Sequence, residues 1–589
     1  MTVTYADKPW LKRYDQGVPH TLQYPSHTVH QMLSDAALNT PDATAIISTA
    51  HVPVAGRLTA TLNYRDLNAQ ADALAAALVD MGVKKGDRVA MILPNSAQFV
   101  ISFFGILKAG GIVVACNPTY PGPKLAEQIK DSGATVAIVL SKFYNTLKEV
   151  QAQTDLKTVI VTNIKEYLPP VAAFLFTVAK ERKEGHRIEK HPVDHALPAL
   201  LAKYKGKKVN VTVMPTDIAI YQYTGGTTGT PKGAMAQHKA LVTNTHQGRA
   251  WLVKWEPAKE VYLGAIPLFH VFGMIAVMCF AVSMSASIVM VPNPREIHEV
   301  LEAIQKYKCT IFMGVPAMYN AVNNHPDVQA GKYDLRSVRA CISGSAPLPP
   351  ITKAKFEELT GGKLVEGYGL SETAVAVCVN PIYSPAPVGS IGLPLPDVEM
   401  KIVSLDDGLT EVPVGKEGEV VIHAPTLMVG YHNNPTETEN VLRHMPDGKV
   451  WFYSGDIGKM DEDGYFYIVD RKKDMVLIGG FNVYPANVEK VLMEHPAVRD
   501  AGVAGIPHPE KPGQEALKAW VVKAEDRDVT EKEIIEFAQS RLARYEVPTR
   551  VEFVSELPKT TVLKVLRREL QRMEKEKTGQ KDIPASVKQ

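Results

Sequence analysis

The segment YTGGTTGTPKG, residues 223–233, combines residue types that bind phosphate groups. Glycine permits the positive-φ turns that let backbone N–H groups converge on an anion, and threonine hydroxyls donate to phosphate oxygens. Lys232 supplies a compensating positive charge. A flexible linker is the competing interpretation, but linkers seldom lie so tightly between apolar segments such as IAIYQ and KALVTNTHQ. We therefore predict a loop that cradles phosphate.

This loop does not have the pattern of a P-loop. A P-loop requires Gly-Lys followed by Ser or Thr and then directly by a helix, whereas Lys232 lies between Pro231 and Gly233. A different kind of nucleotide-binding loop is expected.

Two carboxylates lie in sequence motifs that could complete a nucleotide-binding site. Glu372, in EGYGLSET, offers the hard oxygen that Mg²⁺ prefers; a surface carboxylate in a turn is the alternative. Asp456, in YSGD, has two acceptor oxygens suited to a pair of hydroxyl groups. Taken alone, Ser-Gly-Asp is also common turn text, so this second motif is weak.

The ordered set of motifs resembles the adenylate-forming superfamily, which includes acyl-CoA synthetases, luciferases and peptide-synthetase adenylation domains. YTGGTTGTPKG resembles its phosphate signature, and the matched motifs run from Tyr223 to Leu570. The helix–strand alternation before them is compatible, so the resemblance covers nearly the whole chain. The further motifs are PLFHVFG (267–273), SGSAPL (343–348), EGYGLSET (366–373), YSGD (453–456), DRKKDMVLIGGFNVYPANVE (470–489) and LPKTTVLKVLRREL (557–570).

The resemblance implies a role for each matching residue. Lys564, Glu372 and Lys232 would be catalytic, Thr227 and Glu372 would hold the metal, and Asp470 would be a hinge. His270, Phe272, Gly314 and Val315 would line an acyl pocket, and Gly479 and Gly480 a coenzyme A channel. The nucleotide would contact Thr224, Gly225, Gly226, Thr227, Thr228, Gly229, Thr230, Lys232, Gly344, Ser345, Ala346, Glu366, Gly367, Tyr368, Gly369, Ser371, Asp456, Arg471 and Lys473.

Several of these residues have ordinary alternatives when taken alone. An isolated tyrosine such as Tyr368 is more often part of a core than stacked on adenine. His270 would by default be a satisfied buried histidine, and Arg471 a surface ion pair of little energetic value. The residue before Lys564 is normally glycine in this superfamily and is Leu563 here, so we expect Lys564 to be imperfectly placed.

The function that the resemblance implies is that of a long-chain fatty acid CoA ligase using ATP, Mg²⁺ and coenzyme A. Similarity to bacterial enzymes of this kind is carried by PLFHVFG, by TIFMGVPAMYNAV and by the segment 165–208. A CoA ligase for a medium-chain or aromatic acid is the first alternative. A fatty-acid adenylating or carrier protein that forms no thioester is the second.

Length and composition limit the architecture. A chain of 589 residues exceeds what one hydrophobic core supports, and 45% hydrophobic with 22% charged residues is typical of a globular protein. A net charge of +2 argues against a nucleic-acid partner. Helical text such as LNYRDLNAQADALAAALVDMG alternates with short apolar strands such as RVAMILP, which predicts an α/β fold of mainly parallel sheets flanked by helices.

The domain prediction follows from changes in sequence pattern along the chain. Residues 1–469 form the predicted adenylation domain, with an insertion at about 165–208, and residues 470–589 form a small, mobile α+β domain. Within that small domain, AWVVK is a predicted strand and Thr530 with Glu533 has the spacing of a capping box that starts a helix.

Two apolar segments bear on location. Phe272 to Val291 carries no charged side chain, and we predict a buried helix followed by a buried strand rather than a membrane span. In the insertion, five apolar residues share a helical face, which could meet anionic lipid but which we expect to pack on the protein. These are Leu168, Val171, Phe174, Leu175 and Val178.

The cysteines and the N-terminal sequence both indicate a cytoplasmic location. The five cysteines lack zinc spacing and read as reduced core residues, and the N-terminal text has no secretory apolar run. We expect a cytoplasmic protein, and peripheral contact at the inner face of the cell membrane is compatible with the sequence. A homodimer is compatible with the sequence, which does not fix the oligomeric state.

Overall fold

The structure is a computed structural model that describes residues 3–52, 56–224, 231–478, 481–508, 514–524, 527–559 and 565–578. The chain divides into two compact units. The core unit comprises Trp10–Glu399 and His423–Phe452. The terminal unit comprises Met1–Pro9, Met400–Ile422 and Tyr453–Gln589. Asp470 lies inside the terminal unit, and since compactness does not measure movement, a hinge at that residue stays a prediction.

The strands are numbered in chain order. They are β1 Thr44–Val52, β2 Gly56–Asn63, β3 Arg88–Ile92, β4 Ile112–Ala115, β5 Val136–Leu140, β6 Thr158–Thr162, β7 His195–Ala196, β8 Ile218–Thr224, β9 Lys232–Gln237, β10 Val261–Gly264, β11 Ser287–Met290, β12 Ile311–Gly314, β13 Ala340–Ser343, β14 Lys363–Tyr368, β15 Cys378–Val379, β16 Leu393–Pro394, β17 Glu399–Val403, β18 Gly418–His423, β19 Gly430–Tyr431, β20 Leu442–His444, β21 Val450–Met460, β22 Phe466–Arg471, β23 Val476–Ile478, β24 Phe481–Val483, β25 Val498–Pro507, β26 Glu515–Lys523 and β27 Arg550–Phe553.

The α-helices are numbered in the same way, and short 3₁₀ or π-helical segments lie among them. The α-helices are α1 Val29–Asn39, α2 Tyr64–Asp80, α3 Ala97–Lys108, α4 Gly122–Ser132, α5 Ser141–Val150, α6 Pro170–Leu175, α7 Leu197–Lys203, α8 His238–Trp251, α9 Phe280–Ser283, α10 Ile297–Tyr307, α11 Pro316–Asn323, α12 Pro326–Gln329, α13 Pro350–Thr360, α14 Pro435–Val441, α15 Pro485–Leu492, α16 Glu531–Gln539 and α17 Arg567–Thr578. The short segments are Tyr5–Asp7, Pro9–Arg13, Gln151–Gln153, Ile164–Tyr167, Phe176–Lys180, Phe272–Cys279 and Ser371–Thr373.

The core unit contains two large sheets. In the first sheet the order is β16-β15-β14-β13-β12-β10-β11-β1-β2, and in the second it is β19-β9-β8-β4-β3-β5-β6-β7. The interior strands pair in parallel, while antiparallel pairs occur toward the edges, as between β1 and β2 and between β8 and β9. Strands such as Val136–Leu140 are buried throughout, as expected where helices cover both faces of a sheet. The predicted α/β architecture is confirmed.

The terminal unit contains antiparallel sheet and a small α+β layer. Strands β17, β18, β21 and β22 lie side by side, and β25-β26-β27 form a separate sheet. Alternate residues of β26 enter opposite cores, because successive side chains of a strand point to opposite faces. Val521 packs with Leu492 and Ile534, while Trp520 packs with Leu570. The predicted strand AWVVK and the Thr530–Glu533 capping box are both present.

The apolar run Phe272 to Val291 is a buried helix followed by a buried strand, as predicted. Helical residues 272–283 lead to β11, which pairs in parallel with β1 and β10. Across the described part of the chain, none of the helices combines the length and apolarity needed to cross a bilayer. The five cysteines are buried, which matches their predicted place in the core.

The segment 165–208 differs from the prediction in two ways. Its strand β7 pairs with β6 at the edge of the second sheet, so part of the segment belongs to that sheet. Its first helix does pack on the protein, but through Ala172 and Phe176. The predicted packing face is mostly turned outward, with Val171, Phe174 and Val178 exposed by 59%, 68% and 71%. Our expectation that this face is covered by protein is therefore wrong.

Candidate active site

The two ends of the phosphate-loop motif lie on paired antiparallel strands. Strands β8 and β9 pair along their length, and Thr224 lies opposite Lys232. The sequence analysis did not predict β9 between the loop and α8, yet the buried Ala234 and Ala236 alternate with the half-buried Met235 and Gln237, which is the strand period. Six predicted nucleotide residues lie outside the described residues, namely Gly225, Gly226, Thr227, Thr228, Gly229 and Thr230.

The backbone at Gly233, near the start of β9, is closely packed. A Cβ at Gly233 would come within 3.0 Å of the Tyr223 ring. The Tyr223 hydroxyl in turn donates to the Asp131 carboxylate at 2.5 Å, which ties β8 to α4. The two ends of the loop are therefore fixed by close packing.

Lys232 and Glu372, two of the predicted catalytic residues, share a neighbour. The Lys232 Nζ pairs with Glu437 Oε1 at 2.5 Å and lies 5.7 Å from the centre of the Tyr431 ring. The Tyr431 hydroxyl donates to Glu372 Oε1 at 2.7 Å. The sequence analysis missed Tyr431 and Glu437, because no motif surrounds them. They also lie far from their partners Glu372 and Lys232 along the chain.

The turn that carries Glu372 is tightly folded. Ala374 and Val375 have φ angles of 62° and 149°, in the left-handed region that costs free energy for a residue with a side chain. A Cβ at Gly369 would fall 1.4 Å from the Val375 carbonyl oxygen, so only glycine fits there. Such backbone strain is typical of functional loops. In this turn the Glu372 side chain is mostly buried.

The donor set at Glu372 fits a magnesium ion. In the described part of the chain Glu372 makes no ion pair, and Tyr431 occupies only one of its oxygens. Mg²⁺ usually takes one or two carboxylates and completes its shell with water and substrate phosphates. Glu372 can therefore supply one such ligand, while Thr227, the other predicted ligand, lies outside the described residues.

The predicted adenine and acyl residues meet at the carboxyl ends of neighbouring strands. β12, β13 and β14 pair in parallel, so Gly314, Gly344 and the Glu366–Gly369 segment lie side by side. The Gly344 N–H donates to the Gly314 carbonyl at 3.1 Å. A Cβ at Gly344 would lie 3.4 Å from the Phe272 ring, so the acyl segment touches the adenine turn. Ligands of α/β sheets bind at such strand ends.

His270 lies in an apolar environment beside this turn. Burial lowers the pKa of His270 to about 4, so its imidazole is neutral near pH 7. Its Nδ1 accepts a hydrogen bond from the Phe272 N–H at 3.2 Å. Phe272 and Val315 are buried and apolar, so the described side chains of the predicted acyl pocket carry no charge.

The predicted ribose residues lie in the terminal unit. Asp456 on β21 is 2% exposed and stands directly opposite Arg471 on β22. The Arg471 Nε pairs with Asp456 Oδ1 at 2.6 Å. Burial lowers the pKa of the nearby Lys473 ammonium. The structure therefore brings Asp456 and Arg471 together, so the carboxylate of the YSGD motif forms an ion pair with a cationic side chain.

Asp470, the predicted hinge, is held by Arg567. The Arg567 guanidinium pairs with Asp470, Asp474 and Glu489 at 3.1, 3.0 and 2.7 Å. Burial raises the pKa of Asp470, and the charge of Arg567 opposes that shift. The Ala486 N–H donates to the second Asp470 oxygen at 2.8 Å. The sequence analysis missed this cluster, because Arg567 and Asp470 lie far apart along the chain.

The loop of the predicted catalytic lysine begins and ends in fixed positions. Lys559 and Val565 form a β-bridge, and the Leu566 N–H donates to the Pro558 carbonyl at 2.8 Å. The Lys559 Nζ pairs with Asp500 at 2.5 Å. Leu563 and Lys564 lie outside the described residues, as do Gly479 and Gly480 between β23 and β24.

Comparison with known proteins identifies the family. A model of the AMP-binding enzyme family matches residues 33–432, and a model of the AMP-binding enzyme C-terminal domain matches residues 487–564. A long-chain fatty acid CoA ligase of Bacillus subtilis is 40% identical over 96% of this chain and 98% of its own length. One from Escherichia coli is 36% identical with the same coverage.

A solved structure supports the same relationship. The crystal structure of ATP-bound MatB from Rhodopseudomonas palustris is 27% identical, covers 93% of this chain and 99% of its own, and superposes with a TM-score of 0.78. Because the first family model matches well over half of the sequence, this chain belongs to the AMP-binding enzyme family.

Proposed function

We propose that this chain is an AMP-forming fatty acid CoA ligase that prefers long-chain acids. The observation that carries the proposal is the 40% identity, over nearly the full length of both chains, to a protein named as a long-chain fatty acid CoA ligase. The neutral His270 and the apolar Phe272 and Val315, with Phe272 packed against Gly344, agree with an apolar acid bound next to a nucleotide.

The chemistry requires activation of a carboxylate. A carboxylate is a poor acyl donor because its leaving group would be oxide. Attack of a carboxylate oxygen on the α-phosphorus of ATP forms acyl-AMP and releases pyrophosphate. The thiolate of coenzyme A then attacks the acyl carbon, the thioester bond forms, and AMP leaves with the electron pair of the broken C–O bond.

The residues of this chain would mainly position the reactants and balance their charge. Lys232, oriented by Glu437, would face phosphate oxygens, and Asp456 with Arg471 would hold the ribose. Lys564 would contact the carboxylate and the α-phosphate, and a bound Mg²⁺ at Glu372 and Thr227 would neutralise phosphate charge. Rotation at Asp470 would then expose Gly479 and Gly480 to pantetheine, where the absence of side chains allows close approach.

A product assay separates this proposal from its alternatives. With ATP, palmitate and coenzyme A, we expect palmitoyl-CoA, AMP and pyrophosphate in equal amounts. Acyl-AMP without thioester formation would indicate an adenylating protein, and absence of pyrophosphate release with every acid would indicate a carrier. A product formed only with an aromatic or medium-chain acid would support the other CoA ligases.

We also propose that the outward face of the helical segment 170–178 contacts anionic membrane. Val171, Phe174 and Val178 expose apolar surface, and exposed Arg182 and Lys183 follow directly. Amphipathic helices with apolar and basic residues in this arrangement bind the lipid interface. A long-chain acid partitions into that interface, so contact there would bring the protein to its substrate.

Replacing Phe174 and Val178 together by aspartate should weaken binding to anionic vesicles at least about tenfold, because each buried apolar side chain contributes about 1.5–3 kcal/mol. Turnover of a water-soluble medium-chain acid should be unchanged. Leu38 and Ile351 are also exposed apolar residues, so the double aspartate variant at those positions is the matched control. Equal vesicle sedimentation of both variants would contradict the proposed contact.

A further inference from the structure

Asn95 joins the two sheets of the core unit at the start of the acyl segment. It lies just beyond the carboxyl end of β3 in the second sheet and is 4% exposed. Its Nδ2 donates to the Gly264 and Ile266 carbonyls, both at 2.9 Å, and its Oδ1 accepts from the Leu268 N–H at 2.8 Å. Gly264 ends β10 of the first sheet. One side chain therefore fixes the backbone that leads from β10 toward His270.

A second buried amide holds the same segment from the same sheet. Gln222 on β8 is 4% exposed, and its Nε2 donates to the Phe269 carbonyl at 3.4 Å. This bond is longer than those of Asn95, so we expect a smaller contribution from it. Both contacts fix backbone atoms, whose position does not depend on which side chains line the pocket.

The segment transmits a displacement because it is tightly folded. The His270 N–H donates to the Pro267 carbonyl at 3.1 Å. A Cβ at Gly273 would lie 2.3 Å from the Pro267 carbonyl oxygen, so the backbone at Gly273 packs directly against that of Pro267. Movement at Leu268 would therefore shift Phe272 against Gly344.

We propose that Asn95 is a positioning residue that sets the affinity for the acid substrate. It acts by fixing the wall formed by His270 and Phe272, and it does not touch the substrate itself. This inference rests on the proposed function, since it assumes that this wall binds the acyl chain. Among the described residues, Asn95 makes none of its hydrogen bonds to β8 or β9, whose own pairing holds Thr224 opposite Lys232, so ATP binding should be little affected.

The test is the isosteric variant Asn95→Asp. A carboxylate keeps the acceptor for Leu268 but loses both donors and faces two carbonyl oxygens. For the acid that wild type turns over best, we expect KM to rise about tenfold, which corresponds to a loss of about 1.4 kcal/mol of binding free energy. KM for ATP should stay within about twofold, as only the acyl wall is displaced.

Asn323→Asp is the matched control. Asn323 is equally buried and donates to the Thr352 carbonyl at 2.9 Å, but it lies at the opposite end of α11 from Val315. It should lower the melting temperature without changing KM for the acid. Parallel rises in KM for acid and ATP, or equal behaviour of the two variants, would overturn the inference.

If Asn95→Asp does not fold, Asn95→Ala is the second test. This variant removes all three hydrogen bonds of the side chain without adding a charge, and we expect KM for the acid to rise with KM for ATP within about twofold. An unchanged KM for the acid in Asn95→Ala would overturn the inference. A wild-type protein that turns over no acid would instead contradict the proposed function, so the two failures are distinguishable.

Discussion

Lys564→Ala is expected to lower the rate of acyl-AMP formation by at least about a hundredfold, the scale on which loss of one preorganised electrostatic contact slows a reaction. The reason is that the lysine would balance charge developing between the carboxylate and the α-phosphate. Thioester formation from added acyl-AMP should persist, because that step would use the rotated state. The measurement is single-turnover pyrophosphate release alongside acyl-CoA formation.

Lys559→Ala is the control for this lysine. Lys559 lies in the same motif, and its ammonium is already paired with Asp500 at 2.5 Å. We expect adenylation by the control to remain far faster than that of Lys564→Ala. Normal adenylation by Lys564→Ala would defeat the assignment. Leu563→Gly should raise the adenylation rate if leucine strains this loop.

Arg567→Leu is expected to destabilise the terminal unit by about 3–5 kcal/mol, the usual cost of removing one partner from a buried ion pair. Three buried or mostly buried carboxylates would lose their shared cation, namely Asp470, Asp474 and Glu489. The free energy of unfolding in urea measures this loss. Arg567→Lys should recover part of it, because lysine keeps the charge but not the planar fork.

Arg568→Leu is the control for the cluster. Arg568 neighbours Arg567 on α17 but its side chain is exposed. Its replacement should change stability by less than about 1 kcal/mol, as is usual for an exposed charge. Equal losses in the two leucine variants would show that the cluster around Arg567 does not stabilise the unit.

Local pattern predicted those parts of the fold that depend on neighbouring residues. The run Phe272 to Val291 forms a buried helix and strand because it is mainly apolar and carries no charged side chain. The helix after Thr530 begins where the capping box predicts, since Thr530 and Glu533 satisfy each other's backbone N–H groups.

Contacts between distant residues could not be predicted in this way. Tyr431 bonds Glu372 across 59 positions, and Arg567 bonds Asp470 across 97. Such pairs depend on how sheets and helices pack, and local periodicity carries no information about that. The prediction that protein covers the apolar face of the segment 170–178 was wrong for the same reason. Amphipathicity identifies an apolar face but does not indicate what covers it.

A panel of acids assayed by pyrophosphate release tests the central claim most directly. Acetate, octanoate, palmitate and cinnamate would each be supplied with ATP, Mg²⁺ and coenzyme A. The uncharged wall around Phe272 offers little to orient a short acid, so we expect palmitate to give the highest kcat/KM and acetate the lowest. A panel in which acetate or cinnamate exceeds palmitate would contradict a long-chain fatty acid CoA ligase.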